Sequence, residues 1–233
     1  MLYAYDLHIH SCLSPCGSLD MTPNNIVNMS KIKGLDIIAV TDHNACDHVR
    51  TVYELGQQLG LLVLPGMEVQ TKEEVHILCY FESVEDIESF DMALMPYKTK
   101  IPNNIKVFGQ QSVLDAEDNF VREVENALIL SLDLGLEELQ DLVLRHHGII
   151  VPAHINKAAN SLLVQLGFIP NELNFGTIEV YQKTMLDEKI ADQYQKVFNS
   201  DAHYLEHISE AEHHIELPEK TCRALIQYLS GKG

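Results

Sequence analysis

The sequence predicts an α/β fold built on parallel strands, in an open sheet or a barrel. Three observations carry this. Apolar runs of strand length alternate with segments of helical period along most of the 233 residues. Several runs are nearly continuous rather than alternating, as in strands covered on both faces. The strand–helix–strand unit also repeats, the connection that parallel strands require. In order, "YAYDLHIH" (3–10) reads as a strand. "TPNNIVNMSKIKG" follows as a helix, with Thr22 at the N-cap, Pro23 at its first position and Gly34 ending it. "LDIIAVTDH" is a second strand, "CDHVRTVYELGQQLG" a helix, and "LLVLPGMEV" and "EVHILCYF" two further strands. From about residue 97 to 135 the rhythm breaks. "KVFGQQSVL" and "FVREVENALI", separated by the polar "DAEDN", read as a β-hairpin inserted into the fold. The helix "LGLEELQDLVLRHHG" returns the chain to "IIVPAHI"; "GTIEVYQ", "KVFNSDAH" and "HHIEL" are strand-like, and a last helix starts near Glu219. With no repeat, linker or low-complexity tract, residues 1–233 are expected to form one domain.

Composition narrows the function. A hydrophobic fraction of 46% can fill a large core. Lys and Arg total 16 against 34 Asp and Glu, a formal charge of −18. A surface that acidic repels polynucleotide backbones and anionic lipid, so neither extended nucleic acid nor a membrane is an expected partner. A small anionic substrate remains compatible if metal ions supply local positive charge. Five cysteines without zinc-finger spacing, no signal-peptide pattern and no long apolar run predict free thiols and a cytoplasmic location.

The chemistry lies in the histidines. In "DLHIHS", His8 and His10 alternate along a strand and so project together. His43 ends the second strand, His76 lies in "EVHIL", His154 ends "IIVPAHI" and His203 follows a strand in "NSDAH". Six of the 12 histidines thus fall near strand ends, joined by Glu68 and Asp201. In α/β barrels those ends converge on one face. Six imidazoles and two carboxylates exceed what one tetrahedral zinc requires, so two or three ions are implied.

The pieces "DLHIHS", "VTDHN", "GMEV", "VHI", "PAHI" and "SDAH", in this order, resemble the PHP family of polymerase- and histidinol-phosphatase-type phosphoesterases. The resemblance implies a distorted seven-stranded (β/α) barrel and a cluster of divalent Mn, Fe or Zn ions. On it, His8 and His10 would bind one ion with Asp201, His43 and His203 a second, and His76 with His154 a third, with Glu68 bridging two. A hydroxide bridging two ions would be the nucleophile, so His8, His10, His43, Glu68 and His203 would carry catalysis. Asp42 would orient a ligand without binding metal. The expected reaction is hydrolysis of a small phosphorylated metabolite or nucleotide. The alternatives are a non-catalytic metal-binding module and an amidohydrolase, the latter disfavoured because it would expect a lysine bridging the metals and an aspartate after the last strand, whereas Glu68 and the paired "DAH" point elsewhere.

One departure is visible. Family members often carry an aspartate in the loop after H-x-H, where this chain has Pro15 in "HSCLSPCGSLDMTP". Asp20 is expected to reach back as the missing ligand, with Cys16 the soft competitor and a simple capping role the alternative for Asp20. Lys157 stands where related proteins often have a basic residue and is expected to bind a phosphate oxygen, a surface lysine being the alternative. His146 and His147 suit a helix C-terminus, His48 a solvated helix position, and His213 and His214 a short strand with one of them exposed. A helical zinc pair of His203 with His207 is disfavoured, because His203 already ends a strand.

Overall fold

The computed structural model describes residues 1–170, 172–181 and 184–231. Strand β1 (Leu2–Ile9) is covered along its last six residues. Helix α1 (Pro23–Ile32) starts as the sequence requires: Thr22 Oγ1 accepts the Asn25 amide, Pro23 holds the first position, and Gly34 turns the chain away at φ +79°. Then come β2 (Ile37–Val40), α2 (Val49–Gln58), β3 (Leu62–Val63), β4 (Gly66–Gln70) and β5 (His76–Phe81). Helix α3 (Val84–Leu94) leads into the excursion, which holds α4 (Ile105–Phe108) and the strands β6 (Ser112–Leu114) and β7 (Phe120–Glu123). The chain continues through α5 (Leu136–Arg145), β8 (Gly148–Pro152), α6 (Leu162–Leu166) and β9 (Thr177–Glu179). It ends with α7 (Glu188–Ala191), β10 (Gln195–Val197), β11 (His214–Glu216) and α8 (Cys222–Leu229). Gln182, the expected end of the "GTIEVYQ" strand, lies outside the described residues.

Among the described residues the strands form four sheets: β11–β1–β2–β3, β4–β5–β8, β9–β10 and the inserted hairpin β6–β7. The expected parallel order holds only for β1–β2–β3 and β9–β10. β4 and β5 are antiparallel because the turn between Thr71 and Val75 is too short for a crossover, which takes a dozen or more residues. β8 also pairs antiparallel with β5, and β11 with β1. The seven-stranded barrel is therefore corrected. No closed barrel forms among the described residues, since isolated bridges such as His43–Glu68 and Ile9–Ala202 stand where ladders would have to join the sheets.

Alternation along the strands explains the near-continuous apolar runs. Ile37 and Ala39 meet Leu78, Tyr80, Val151 and Ala153 in a core enclosed between the two larger sheets. Ile38 and Val40 point the other way, onto Ile26 and Val27 of α1 and Val52 of α2. Ile77, Cys79 and Phe81 likewise pack on Phe90 of α3 and Leu139 and Val143 of α5. Each buried Val, Leu, Ile or Phe among them contributes about 1.5–3 kcal/mol by leaving water. Among the described residues no helix is long and apolar enough to cross a membrane.

Candidate metal centre

The rim between the two larger sheets gathers the expected ligands. β1 ends in a register shift between Asp6 and Ile9, a local irregularity of the kind that re-aims side chains. It brings the His8 and His10 rings to 5.1 Å, with their Nε2 atoms 3.1 Å apart. Glu68 of β4 reaches into the middle. Its Oε1 lies 3.3 Å from His8 Nε2, 2.9 Å from His76 Nδ1 and 3.4 Å from His154 Nε2. Its Oε2 lies 2.9 Å from His43 Nδ1 and 3.4 Å from His10 Nε2. Asp201 Oδ1 comes within 3.3 Å of His10 Nε2 and 3.5 Å of His8 Nε2. His203 packs on His10 at 4.4 Å between ring centroids. Two of these residues, His154 (φ +28°) and Asp201 (φ +52°), hold left-handed backbone conformations that cost about 1–3 kcal/mol each. Strain of that size at the ends of β8 and β10 is retained where it turns a side chain back into a site.

The hydrogen bonds behind the rings fix which nitrogen faces inward. Ser14 Oγ donates its hydrogen to Asp42 Oδ1 at 2.6 Å, so the 3.0 Å contact with His10 must be His10 Nδ1–H donating to Ser14. Asp42 thus orients the His10 ring through Ser14. His8 Nδ1 lies 3.0 Å from both oxygens of buried Glu179, and His203 Nδ1 donates to the Asp201 carbonyl at 2.8 Å. All three rings therefore carry hydrogen on Nδ1 and present the Nε2 lone pair to the centre, the arrangement a metal-binding histidine needs.

Glu179 was not legible as a site residue. It accepts His8, the His154 amide (2.6 Å) and Asn199 Nδ2 (2.7 Å) from three separate segments. Asp6 was missed too; it accepts the Ser200 and Ser209 amides at 3.1 and 2.9 Å and so fixes the segment that carries Asp201. The expectation for His48 is corrected. The residue is fully buried at the N-cap of α2, joined to Ser11 Oγ at 2.8 Å and accepting the Leu114 amide at 2.8 Å on Nε2. Burial there follows from the inserted hairpin folding over it.

Asp20 is corrected as well. It is exposed, and its backbone, rather than its carboxylate, bonds Asn25 and Ser18. Cys16 instead approaches His10, His43 and His203, their donor atoms all within 4.8 Å of one another. Lys157 meets the site, donating to Asp201 Oδ2 at 2.7 Å. His146 caps α5, His147 contacts Asp86, His214 is exposed on β11, and His207 packs on Tyr204.

The electrostatics favour ionised carboxylates. Burial opposes the charge of Glu68, yet His76, His8 and His43 outweigh it and hold its carboxyl well below the ordinary range. Asp201 is lowered despite burial, through His8 and His10. Burial likewise disfavours the His43 cation, but Glu68 carries the ring up to about 10. The Cys16 thiol, raised by burial, is brought down to about 7 by hydrogen bonds to His203 and His43.

The donor set fits divalent ions. His43 Nδ1, both Glu68 oxygens, both His76 nitrogens and His154 Nδ1 are buried with no aligned hydrogen-bond partner. Orphaned buried polar atoms each cost about 1–3 kcal/mol, and so many in one place call for a cation. The groups His8–His10–Asp201, His43–Glu68–His76 and His10–Cys16–His43–His203 are each close enough to hold an ion. A cavity of about 190 Å³ opens above them, lined in part by Ile129 of the inserted segment. A cleft of about 420 Å³ continues from it, sharing Lys157, Asp201 and His203.

The chain resembles known proteins along most of its length. The family model described as PHP domain matches residues 6–210. An uncharacterized protein of Methanocaldococcus jannaschii is 27% identical over 198 residues, which is 85% of this chain but 21% of that protein. A second from the same organism is 34% identical over 76 residues, 29% of this chain and 44% of its own. The chain thus spans less than half the length of either curated relative. Among solved structures, the lesion-specific endonuclease PfuEndoQ from Pyrococcus furiosus aligns with all of this chain and 57% of its own (TM-score 0.72, 21% identity). Endonuclease Q in complex with a 27-mer duplex substrate bearing an abasic lesion at its active site aligns similarly (TM-score 0.71, 19% identity, 57% of that chain). A metal-dependent phosphoesterase from Bifidobacterium adolescentis, described as putative, covers 96% of this chain and 95% of its own at TM-score 0.60 and 16% identity. These likenesses share the fold. They also overturn the expectation of a small phosphorylated substrate with no extended nucleic acid, since a neighbour of this fold holds a DNA duplex. The charge reasoning fails because net charge sums the whole surface, whereas a bound backbone meets only the local cleft.

Proposed function

This chain belongs to the PHP-domain family of metal-dependent hydrolases, and we propose that it is a phosphoesterase that cleaves phosphodiester bonds in nucleic acid, with two or three divalent Mn, Fe or Zn ions in the centre. The observation that supports this reading is the set of orphaned polar atoms on and around Glu68, which divalent cations would satisfy. His8, His10 and Asp201 would hold one ion, His43 and His203 another, His76 and His154 a third, and Glu68 would bridge. When bound, such ions lower the pKa of a coordinated water and neutralise phosphate charge, which suits a chain with few basic residues.

The protein's own groups do the rest. Glu179, Ser14 and the Asp201 carbonyl hold hydrogen on the Nδ1 atoms of His8, His10 and His203, keeping their Nε2 atoms free. The Lys157 side chain, 37% exposed with its Nζ bound to Asp201, can swing onto a non-bridging phosphate oxygen. Two features support a polymeric substrate. The cleft sharing Lys157 is larger than one phosphate needs. A second cleft of about 350 Å³ runs from Asn44 under the inserted hairpin, where Lys98, Lys100 and Arg122 balance Asp47, Asp91 and Glu125. That local neutrality contrasts with the net charge of −18.

The test is a hydrolysis panel of metal-loaded protein on single-stranded, duplex and abasic oligonucleotides beside small phosphomonoesters. Strand cleavage that His203→Ala abolishes is the expected result. Phosphate release from small esters alone would reject the nucleic-acid reading. Inactivity of fully loaded protein on every ester would favour the non-catalytic metal-binding module.

A further inference from the structure

We propose that Cys16 is a thiolate metal ligand, sharing one ion position with His43 and His203 and making that position softer than the other two. The inference rests on the metal-dependent reading above and deepens it. Four donor atoms, from His10, Cys16, His43 and His203, lie within 4.8 Å of one another. In a tetrahedral site with bonds of about 2.0–2.3 Å, ligand atoms stand roughly 3.3–3.8 Å apart, so a small inward adjustment closes the set.

His10 cannot serve this position and its neighbour at once. Its Nδ1 is held by Ser14, and its one free lone pair, on Nε2, faces His8 and Asp201 at 3.1 and 3.3 Å. With His10 committed there, His43 and His203 need a third protein donor. Pro15 offers none, and among the described residues the Asp20 carboxylate joins no group of converging donors. Cys16 is the remaining candidate, and the loop is built to keep it in place. Ser18 donates its amide to the His203 carbonyl at 2.9 Å. On the outer side, Gly109 (φ +105°) packs so closely on Pro15 that a Cβ would lie 2.0 Å from its carbonyl oxygen. The other cysteines do not share this setting: Cys12, Cys79 and Cys222 are buried with their sulfurs on backbone carbonyls, and Cys46 contacts the Ile87 carbonyl. A thiolate favours zinc and other softer ions over manganese, whereas the positions around Glu68 and Asp201 supply oxygen donors. The centre is therefore chemically unequal.

The experiment is cobalt substitution of reduced, chelator-stripped protein, read by near-ultraviolet absorption and elemental analysis. The wild type should show a thiolate-to-cobalt charge-transfer band. Cys16→Ser should lose the band and one ion per chain; Cys16→Asp should lose the band but keep the ion, because a carboxylate replaces the ligand. Asp20→Ala should change neither, and circular dichroism of each variant checks the fold. Cobalt-loaded wild type without the band, or a Cys16→Ser protein that retains it, overturns the proposal while leaving the metal centre standing. A wild type that binds no cobalt, zinc or manganese overturns the metal-dependent reading itself.

Discussion

Replacing Glu179 by glutamine tests whether the support behind the ligands sets metal affinity. The carboxylate is 2% exposed and receives three donors: His8 Nδ1 at 3.0 Å, Asn199 Nδ2 at 2.7 Å and the His154 amide at 2.6 Å. Burial opposes its charge, but His8 outweighs burial and holds the carboxyl below the ordinary range. Glutamine has the same shape, yet one of its two positions becomes an NH2 that must face either Asn199 or the His154 amide, both donors. Asn199 cannot turn to accept, because its Oδ1 already receives the Leu7 amide at 2.9 Å. One buried donor is left unpaired, at about 1–3 kcal/mol. Removing such a partner of a metal-bound histidine typically costs about 10–100-fold in affinity, or roughly 1.4–2.8 kcal/mol. The two ranges coincide, so Glu179→Gln should weaken both the metal-free fold and ion binding. Chelator competition for zinc or manganese, paired with urea denaturation of stripped protein, reads both. Unchanged affinity with an unchanged denaturation midpoint would refute the reasoning.

Further outcomes are expected. Glu68→Gln, which takes a charge from the carboxylate that five histidines approach within 3.4 Å, should lose at least one ion per chain by elemental analysis while keeping its circular dichroism. His48→Ala strands the Leu114 amide, while Ser11 Oγ keeps Asp42 and the Leu13 amide, so it should cost about 1–3 kcal/mol and speed hydrogen exchange at Leu114; His48→Gln, with a donor and an acceptor, should recover part of both. For Asp86, burial works against the charge, but Ser83 and His147 hold the carboxyl below its ordinary value. A lowered carboxylate stabilises the fold above its unfolded pKa of about 4 and loses that contribution as the pH falls toward the folded value. Asp86→Asn should therefore cost up to about 1 kcal/mol at neutral pH, by thermal denaturation, with the difference fading in acid.

The amino-acid sequence by itself determined which eight residues would gather at the rim. His8, His10, His43, Glu68, His76, His154, Asp201 and His203 stand in short contiguous motifs next to apolar strands, where alternation and strand ends place side chains without reference to distant chain. It also determined α1, because Thr22, Pro23 and Gly34 act within a turn of where they stand, and the inserted hairpin, which local turn residues specify. The tertiary structure alone decided strand direction, since β5 pairs with β8 across helices α3 and α5 and the whole excursion. It decided the support of the centre as well. Glu179 meets His8 across 171 positions, Leu114 reaches His48 across 66, and Cys16 rather than Asp20 joins His10, His43 and His203, on a loop that packs against Gly109 of the excursion. Local periodicity encodes which face a residue takes on its own strand or helix. It carries no record of which distant hydrogen-bond partner waits on that face, and those partners orient the ligands.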